Sequence, residues 1–129
     1  MAIRILLAED HRMIREGLRS LLEAQEDLEV IGEASNGREA VRLALAANPQ
    51  VVVMDVAMPE VSGIEACRQI QAEAPDIKIV ALSMHADCRF VERMLVAGAA
   101  RYLLKDCAFD ELVTAIRSAV TGEDYPTPA

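Results

Sequence analysis

The stretch Val51-Val52-Val53-Met54-Asp55 decides the fold of this chain. Three β-branched residues and a methionine in an unbroken row predict a short strand that is buried on both faces, as the centre of a parallel sheet requires. Asp55 then stands at the C-terminal end of that strand. Because open α/β sheets bind their ligands in the crevice beyond those ends, the position of Asp55 indicates a chemical role.

Composition limits the classes of protein to consider. The chain has 129 residues, 53% of them hydrophobic, with no Trp, which predicts one domain with an aliphatic core. The formal net charge of −8 argues against direct binding to nucleic acid or an anionic membrane, because both favour a basic surface. We see no signal-peptide pattern and no segment of membrane-spanning length, so we expect a cytoplasmic location and no membrane. The three cysteines form no C-x-x-C pair and are expected to be free thiols.

Strands and helices are predicted to alternate along the whole chain. Apolar runs at 3–8, 28–34, 77–82 and 101–104 predict four further strands. Helical spacing of apolar residues predicts a helix after each strand, beginning near His11, Asn36, Ser62, Asp87 and Phe109. Five strands alternating with five helices predict a doubly wound α/β parallel sheet, for which we choose the flavodoxin-like (βα)5 order 2-1-3-4-5. Residues 1–121 form the predicted domain, and residues 122–129 a tail or linker stub.

Three helix starts carry recognisable capping signals. Asn36 stands three residues before Glu39, and Ser62 three residues before Glu65, as in a capping box. Asp10 is likewise expected to cap the first helix.

Polar side chains stand at the C-terminal ends of four predicted strands: Glu9-Asp10, Asp55, Ser83 and Lys105. The fold would bring them into one crevice, where clustered carboxylates need a cation, and oxygen ligands suit Mg²⁺. This pattern indicates phosphoryl transfer, with Asp55 as the nucleophile and Lys105 stabilising the transferred group. His11 and His85 flank the site, but we do not expect them to bind the metal, since Mg²⁺ prefers oxygen.

In this order and spacing, these residues resemble the receiver domain of a two-component response regulator. The resemblance rests on Glu9-Asp10, Asp55-x-x-Met58-Pro59-x-x-x-Gly63, Ser83 and Tyr102-x-x-Lys105. The segments Asp10–Leu18 and Gly32–Gly37 further resemble the branch that usually carries a LuxR-type helix-turn-helix output domain, which these 129 residues do not include.

The resemblance implies a role for each site residue. Asp55 would accept a phosphoryl group from a sensor histidine kinase, and Glu9, Asp10, Asp55 and the backbone carbonyl of Ala57 would hold Mg²⁺. Lys105 would pair with the phosphoryl oxygens. The Ser83 hydroxyl would swing toward these oxygens, and Tyr102 would move inward, changing an output surface. Such a domain is a switch that assists its own phosphorylation and dephosphorylation, rather than an enzyme, and would regulate transcription through DNA bound by its output domain.

Two departures from the family pattern bear on these expectations. Asp106 follows Lys105 where many members have Pro, so a cis peptide there would cost about 3–4 kcal/mol. Arg101 replaces the Gly that often precedes the aromatic residue, which places a long cation beside the proposed output surface.

Other functions remain open from sequence. A Mg²⁺-dependent aspartyl-phosphate phosphatase resembling haloacid dehalogenases is an alternative, although Ala57 stands where that family has its second acid. A phosphate-independent pseudo-receiver would keep the fold without the chemistry. Independently, apolar stripes at Leu18/Leu22 and Ile116/Val120 suggest a homodimer through the first and last helices.

Overall fold

A computed structural model describes residues 2–56, 58, 61–83, 88–105 and 109–122; for residues 88–90 it describes the backbone only. Within these ranges, strands and helices alternate as predicted. In chain order the elements are β1 (Ile3–Ala8), α1 (Arg12–Glu23), β2 (Leu28–Ala34), α2 (Gly37–Ala47), β3 (Val51–Asp55), α3 (Gly63–Glu73), β4 (Lys78–Ser83), α4 (Cys88–Val96), β5 (Arg101–Leu104) and α5 (Phe109–Thr121).

The strands form one parallel sheet in the order β2-β1-β3-β4-β5, which confirms the predicted flavodoxin-like topology. All five residues of β3 are buried, as its central place requires. In the strand register, Asp55 lies opposite Leu82 and Ser83 lies opposite Leu104. The polar strand ends therefore share one edge of the sheet.

Helices cover both faces of the sheet and create two apolar cores. Alternate β3 residues face opposite sides: Val52 and Met54 belong to the core under α2, α3 and α4, whereas Val51 and Val53 belong to the core under α1 and α5. We call these the first and the second core. This two-sided burial explains why the strand sequence is apolar without alternation.

The pairing of β1 with β2 contains a β-bulge. Ile5 lies opposite Val30, but Leu6 lies opposite Gly32, so Ile31 is an extra residue in β2. A bulge of one residue exchanges the faces toward which the following side chains point. Accordingly, Val30 belongs to the second core and Ala34 to the first.

Two of the three predicted caps are confirmed. Asn36 Oδ1 accepts a hydrogen bond from the Glu39 amide at 2.8 Å, and Ser62 Oγ accepts one from the Glu65 amide at 3.2 Å. The prediction for Asp10 is wrong, because His11 is the N-cap residue of α1 and no side chain caps it. The Asp10 carboxylate instead belongs to a cluster of acids described below.

The stripes that suggested a dimer pack against the chain's own sheet. Leu22 and Ile116 are fully buried in the second core, and Leu18 and Val120 pack against its rim. A dimer through α1 and α5 would therefore need other side chains, such as Met13, which is 86% exposed. None of the helices in the described part of the chain is long and apolar enough to cross a membrane.

Candidate functional site

Three charged residues from three strand ends meet in one buried ion-pair group. Lys105 Nζ lies 3.0 Å from Asp55 Oδ2 and 2.9 Å from Glu9 Oε1. The Glu9 and Asp55 side chains are almost inaccessible, and that of Lys105 is only 12% exposed. The sequence predicted that these groups would converge, but it did not reveal that one ammonium would bridge both acids.

In this group, burial and ion pairing shift the pKa of each residue in opposite directions. Burial raises the pKa of Glu9, but the ammonium of Lys105 and the backbone amide of His11 outweigh it, so the pKa of Glu9 lies below its ordinary value. Burial lowers the pKa of Lys105, but hydrogen bonds from its ammonium to Glu9 and Asp55 outweigh that effect and raise its pKa. Both groups are therefore charged at neutral pH.

Asp10 and His11 extend the acidic cluster toward solvent. One potential ligand atom from each of Glu9, Asp10, His11 and Asp55 lies within 4.8 Å of all the others. His11 Nδ1 lies 3.3 Å from both Glu9 Oε2 and Asp10 Oδ1, and the His11 side chain is 67% exposed. The structure thus places His11 at the cluster; its exclusion as a metal ligand stays a prediction based on ligand chemistry.

The cluster fits a hard divalent cation. Two of its carboxylate oxygens, Glu9 Oε1 and Asp10 Oδ1, are buried, the first 2.9 Å from Lys105 Nζ and the second 3.3 Å from His11 Nδ1. Because a carboxylate oxygen has two lone pairs, each of these oxygens can still bind a metal ion, and oxygen ligands suit Mg²⁺. Ala57, whose backbone carbonyl was predicted as a further ligand, lies outside the described residues.

Backbone contacts bring Gly63 close to the end of β3. The amide of Gly63 donates to the carbonyl of Val56 at 2.8 Å. A Cβ atom on Gly63 would lie 2.1 Å from the carbonyl oxygen of Asp55, so only glycine allows this approach. This contact gives a physical reason for the Gly in the predicted Asp55–Gly63 motif.

Ser83 and Tyr102, the two predicted switch residues, are both buried. Ser83 ends β4, and its carbonyl accepts a hydrogen bond from the Lys105 amide at 2.8 Å. Tyr102 is completely buried in the first core, in a cluster that includes Met94. The ring therefore already occupies an inward position, and the predicted inward movement would have to start from a different state.

Besides Ala57, three sequence predictions fall on residues outside the described ranges. They concern the exclusion of His85 as a ligand, the helix start predicted near Asp87 and the peptide bond between Lys105 and Asp106. Arg101, by contrast, is described: its guanidinium donates to Ser118 Oγ at 3.0 Å and to the Ser118 carbonyl at 3.2 Å, which ties β5 to α5.

One contact at the site was missed by the sequence analysis. The Arg15 guanidinium in α1 donates to the backbone carbonyl of Glu9 at 2.8 Å. No residue pattern reveals which carbonyl a long side chain will reach.

Comparison with known proteins identifies the class. A family model described as "Response regulator receiver domain" matches residues 5–117, and the chain belongs to this family. The resemblance stated from the sequence is therefore confirmed, as is the relation to LuxR-family regulators.

Several individual proteins are similar to this chain over nearly its whole length. Transcriptional regulatory protein LiaR of Bacillus subtilis is 50% identical over 121 residues, which cover 94% of this chain and 57% of LiaR. Response regulator GacA of Pseudomonas protegens is 40% identical over 126 residues, covering 98% of this chain and 59% of GacA. The crystal structure of a LuxR-family two-component response regulator from Aurantimonas superposes with a TM-score of 0.93 at 36% identity, covering 99% of this chain and 91% of that one. The chain spans a little more than half the length of these curated relatives.

Proposed function

We propose that this chain is a phosphorylation-controlled switch in which Asp55 accepts a phosphoryl group from a phosphohistidine of a sensor kinase. The observation that carries the proposal is the ion-pair group at the sheet edge, where Lys105 Nζ lies 3.0 Å from Asp55 Oδ2 and 2.9 Å from Glu9 Oε1. An ionised carboxylate beside a cation, at the strand ends of an open sheet, suits attack on an electrophilic phosphorus.

The reaction transfers one group between two residues. An Asp55 oxygen forms a bond to phosphorus while the bond from phosphorus to the kinase histidine breaks, and the electron pair returns to the imidazole. The Lys105 ammonium, freed from its pairing with Asp55, would then pair with a phosphoryl oxygen. Glu9, Asp10, Asp55 and the Ala57 carbonyl would hold Mg²⁺, which when bound neutralises charge on the transferring group.

The switch would follow from the charge added at Asp55. A phosphoryl group adds about −1.5 to −2 charges and three acceptor oxygens. The hydroxyl of Ser83 would bond one of these oxygens, and the buried position of Tyr102 would then be favoured. Moving an equilibrium from 1:99 to 99:1 requires about 5.5 kcal/mol, much of which two or three charge-assisted hydrogen bonds could supply.

The biological output is proposed from the relatives. LiaR is a transcriptional regulatory protein, so the switched surface would control an output domain beyond these residues that binds DNA. The chain would act in the cytoplasm, and its chemistry would serve signalling rather than turnover of a substrate. Dimerisation through α1 and α5 stays a prediction.

Intact-mass measurement tests the proposal. The chain is incubated with a small phosphodonor and Mg²⁺, and we expect the wild type and Asp76→Ala, an exposed acid before β4, to gain the mass of one phosphoryl group. We expect no gain for Asp55→Ala or in the presence of EDTA. Equal gain in Asp55→Ala would refute the assignment, and sustained turnover of small phosphate esters that depends on Asp55 would favour the phosphatase alternative.

A further inference from the structure

Two segments that resemble the LuxR-type branch meet at the acidic cluster. Arg15, from the segment Asp10–Leu18, donates through Nε to Glu33 Oε1 at 2.9 Å, and Glu33 belongs to the segment Gly32–Gly37. We propose that Arg15, held by Glu33, is a positioning residue that fixes the peptide of Glu9 and thereby aims the metal-binding carboxylates. This inference rests on the proposed function, because it assigns a means of orienting the same site.

The Glu9 backbone is fixed from two sides. Its amide donates to the Ala34 carbonyl in β2 at 3.0 Å, and its carbonyl accepts from the Arg15 guanidinium at 2.8 Å. Its side chain also accepts from the His11 amide at 3.1 Å. A planar guanidinium with two bound acceptors has a defined orientation, which a flexible ammonium lacks. Glu9, directly after β1, thus has little freedom to turn its carboxylate away.

The ion pair is sheltered enough to hold its geometry. The Arg15 side chain is 17% exposed and that of Glu33 is 25% exposed. Arg19 contacts the second oxygen of the same carboxylate. Burial raises the pKa of Glu33, but Arg19 and Arg15 outweigh it, so the pKa lies below its ordinary value and the carboxylate is charged at neutral pH.

The β-bulge at Ile31 places Glu33 on the correct face. Val30 points to the second core, on the side of α1, and without the extra residue Glu33 would point to the opposite face. With the bulge, Glu33 lies opposite Leu7, another second-core residue, and reaches Arg15. Bulges often serve to redirect a side chain in this way.

An ion pair that only joins the helix to the sheet would show the same contact between Arg15 and Glu33. A comparison with Arg19 distinguishes this structural role from the positioning role. It lies one turn after Arg15 in α1 and binds the same Glu33 carboxylate. Its described contacts are with Glu33 and Glu23 and do not include the Glu9 backbone. Arg15→Met and Arg19→Met therefore each remove one cationic partner of Glu33, but only Arg15→Met removes the contact with Glu9.

The experiment measures Mg²⁺ affinity by calorimetric titration of the unphosphorylated chain, together with the free energy of unfolding in urea. Loss of a residue that orients a ligand typically weakens metal binding 10–100-fold. We expect Arg15→Met to weaken Mg²⁺ binding about 10-fold and Arg19→Met less than about twofold. Equal Mg²⁺ affinity in the two variants would overturn the positioning role. If Arg15→Met does not fold, Glu33→Gln is compared with Glu23→Gln, and only the former should weaken Mg²⁺ binding.

The outcomes separate this inference from the proposed function. If the wild type gains a phosphoryl group and Arg15→Met binds Mg²⁺ as Arg19→Met does, the positioning role alone is wrong. If the wild type neither binds Mg²⁺ nor gains a phosphoryl group, the proposed function is wrong, and the positioning role falls with it.

Discussion

Replacing Lys105 with methionine tests the electrostatics of the site. The substitution keeps an unbranched side chain and removes the ammonium that lies 2.9 Å from Glu9 Oε1 and 3.0 Å from Asp55 Oδ2. Two buried carboxylates would then face each other without a counter-charge. Breaking a buried ion pair costs roughly 3–5 kcal/mol. Because the Lys105 side chain is 12% exposed and water can approach it, we expect the lower end, about 3 kcal/mol at pH 7.

The stability lost in Lys105→Met should depend on pH, and the pKa shifts of Glu9 and Lys105 give the direction. Glu9 has a lowered pKa, so its contribution is present above its unfolded-state pKa and is lost as the pH falls through the folded-state pKa. Lys105 has a raised pKa, so its contribution is present below its unfolded-state pKa and is lost as the pH rises through the folded-state pKa. The difference between wild type and Lys105→Met should therefore be largest between about pH 5 and pH 10 and should shrink below about pH 4.

The assay is urea unfolding in EDTA at several pH values. In a separate thermal scan at pH 7, the midpoint temperature of unfolding should fall by about 10 °C. Lys78→Met, at the opposite end of the sheet where β4 begins, is the matched control and should change little. Adding Mg²⁺ should recover part of the loss in Lys105→Met, because the metal would neutralise the same carboxylates. Unchanged stability at pH 7, or an equal loss below pH 4, would refute the reasoning.

Three further predictions concern the loop, a cap and a thiol. We expect Gly63→Ala to lower the free energy of unfolding by about 2–3 kcal/mol and to slow phosphorylation, because its Cβ would lie 2.1 Å from the Asp55 carbonyl oxygen. Wild-type stability in urea together with a wild-type phosphorylation rate would contradict this. Asn36→Ala should lower the free energy of unfolding by about 1 kcal/mol, since the Glu39 amide loses its acceptor; an unchanged urea midpoint would contradict this. Burial raises the pKa of the Cys67 thiol to about 12, so peptide mapping should find Cys67 alkylated at pH 8 only after unfolding, and modification of the native chain would disprove its burial.

The fold could be predicted from the sequence because apolar runs and helix caps, the clearest patterns in the chain, are also interactions that stabilise strands and helices. The run Val51–Asp55 required a central parallel strand, and the paired positions Asn36/Glu39 and Ser62/Glu65 marked helix starts. The convergence of Glu9, Asp55 and Lys105 followed from topology alone, since parallel strands end at one edge.

The sequence did not reveal features that depend on contacts with residues far away in the chain. The stripe containing Leu22 and Ile116 shows that helix faces are apolar, but not whether a sheet or a second chain covers them; here the sheet does. The bulge at Ile31 changes the strand register; a glycine inside a strand can mark a bulge, but Gly32 alone does not specify which residue is the extra one. Asp10 had the right chemistry for a cap, but its carboxylate joins the acidic cluster.

The burial of Tyr102 has a spectroscopic consequence. The chain contains no tryptophan and two tyrosines, so tyrosine dominates its intrinsic ultraviolet emission. Replacing Tyr125 with phenylalanine would leave Tyr102 as the single emitter, a ring paired through β5 with Ala81 and two residues along β4 from Ser83. Any exchange of that ring between apolar and aqueous surroundings would change its quantum yield and its accessibility to quenchers. The protein therefore carries a dye-free optical reporter at the edge of its sheet.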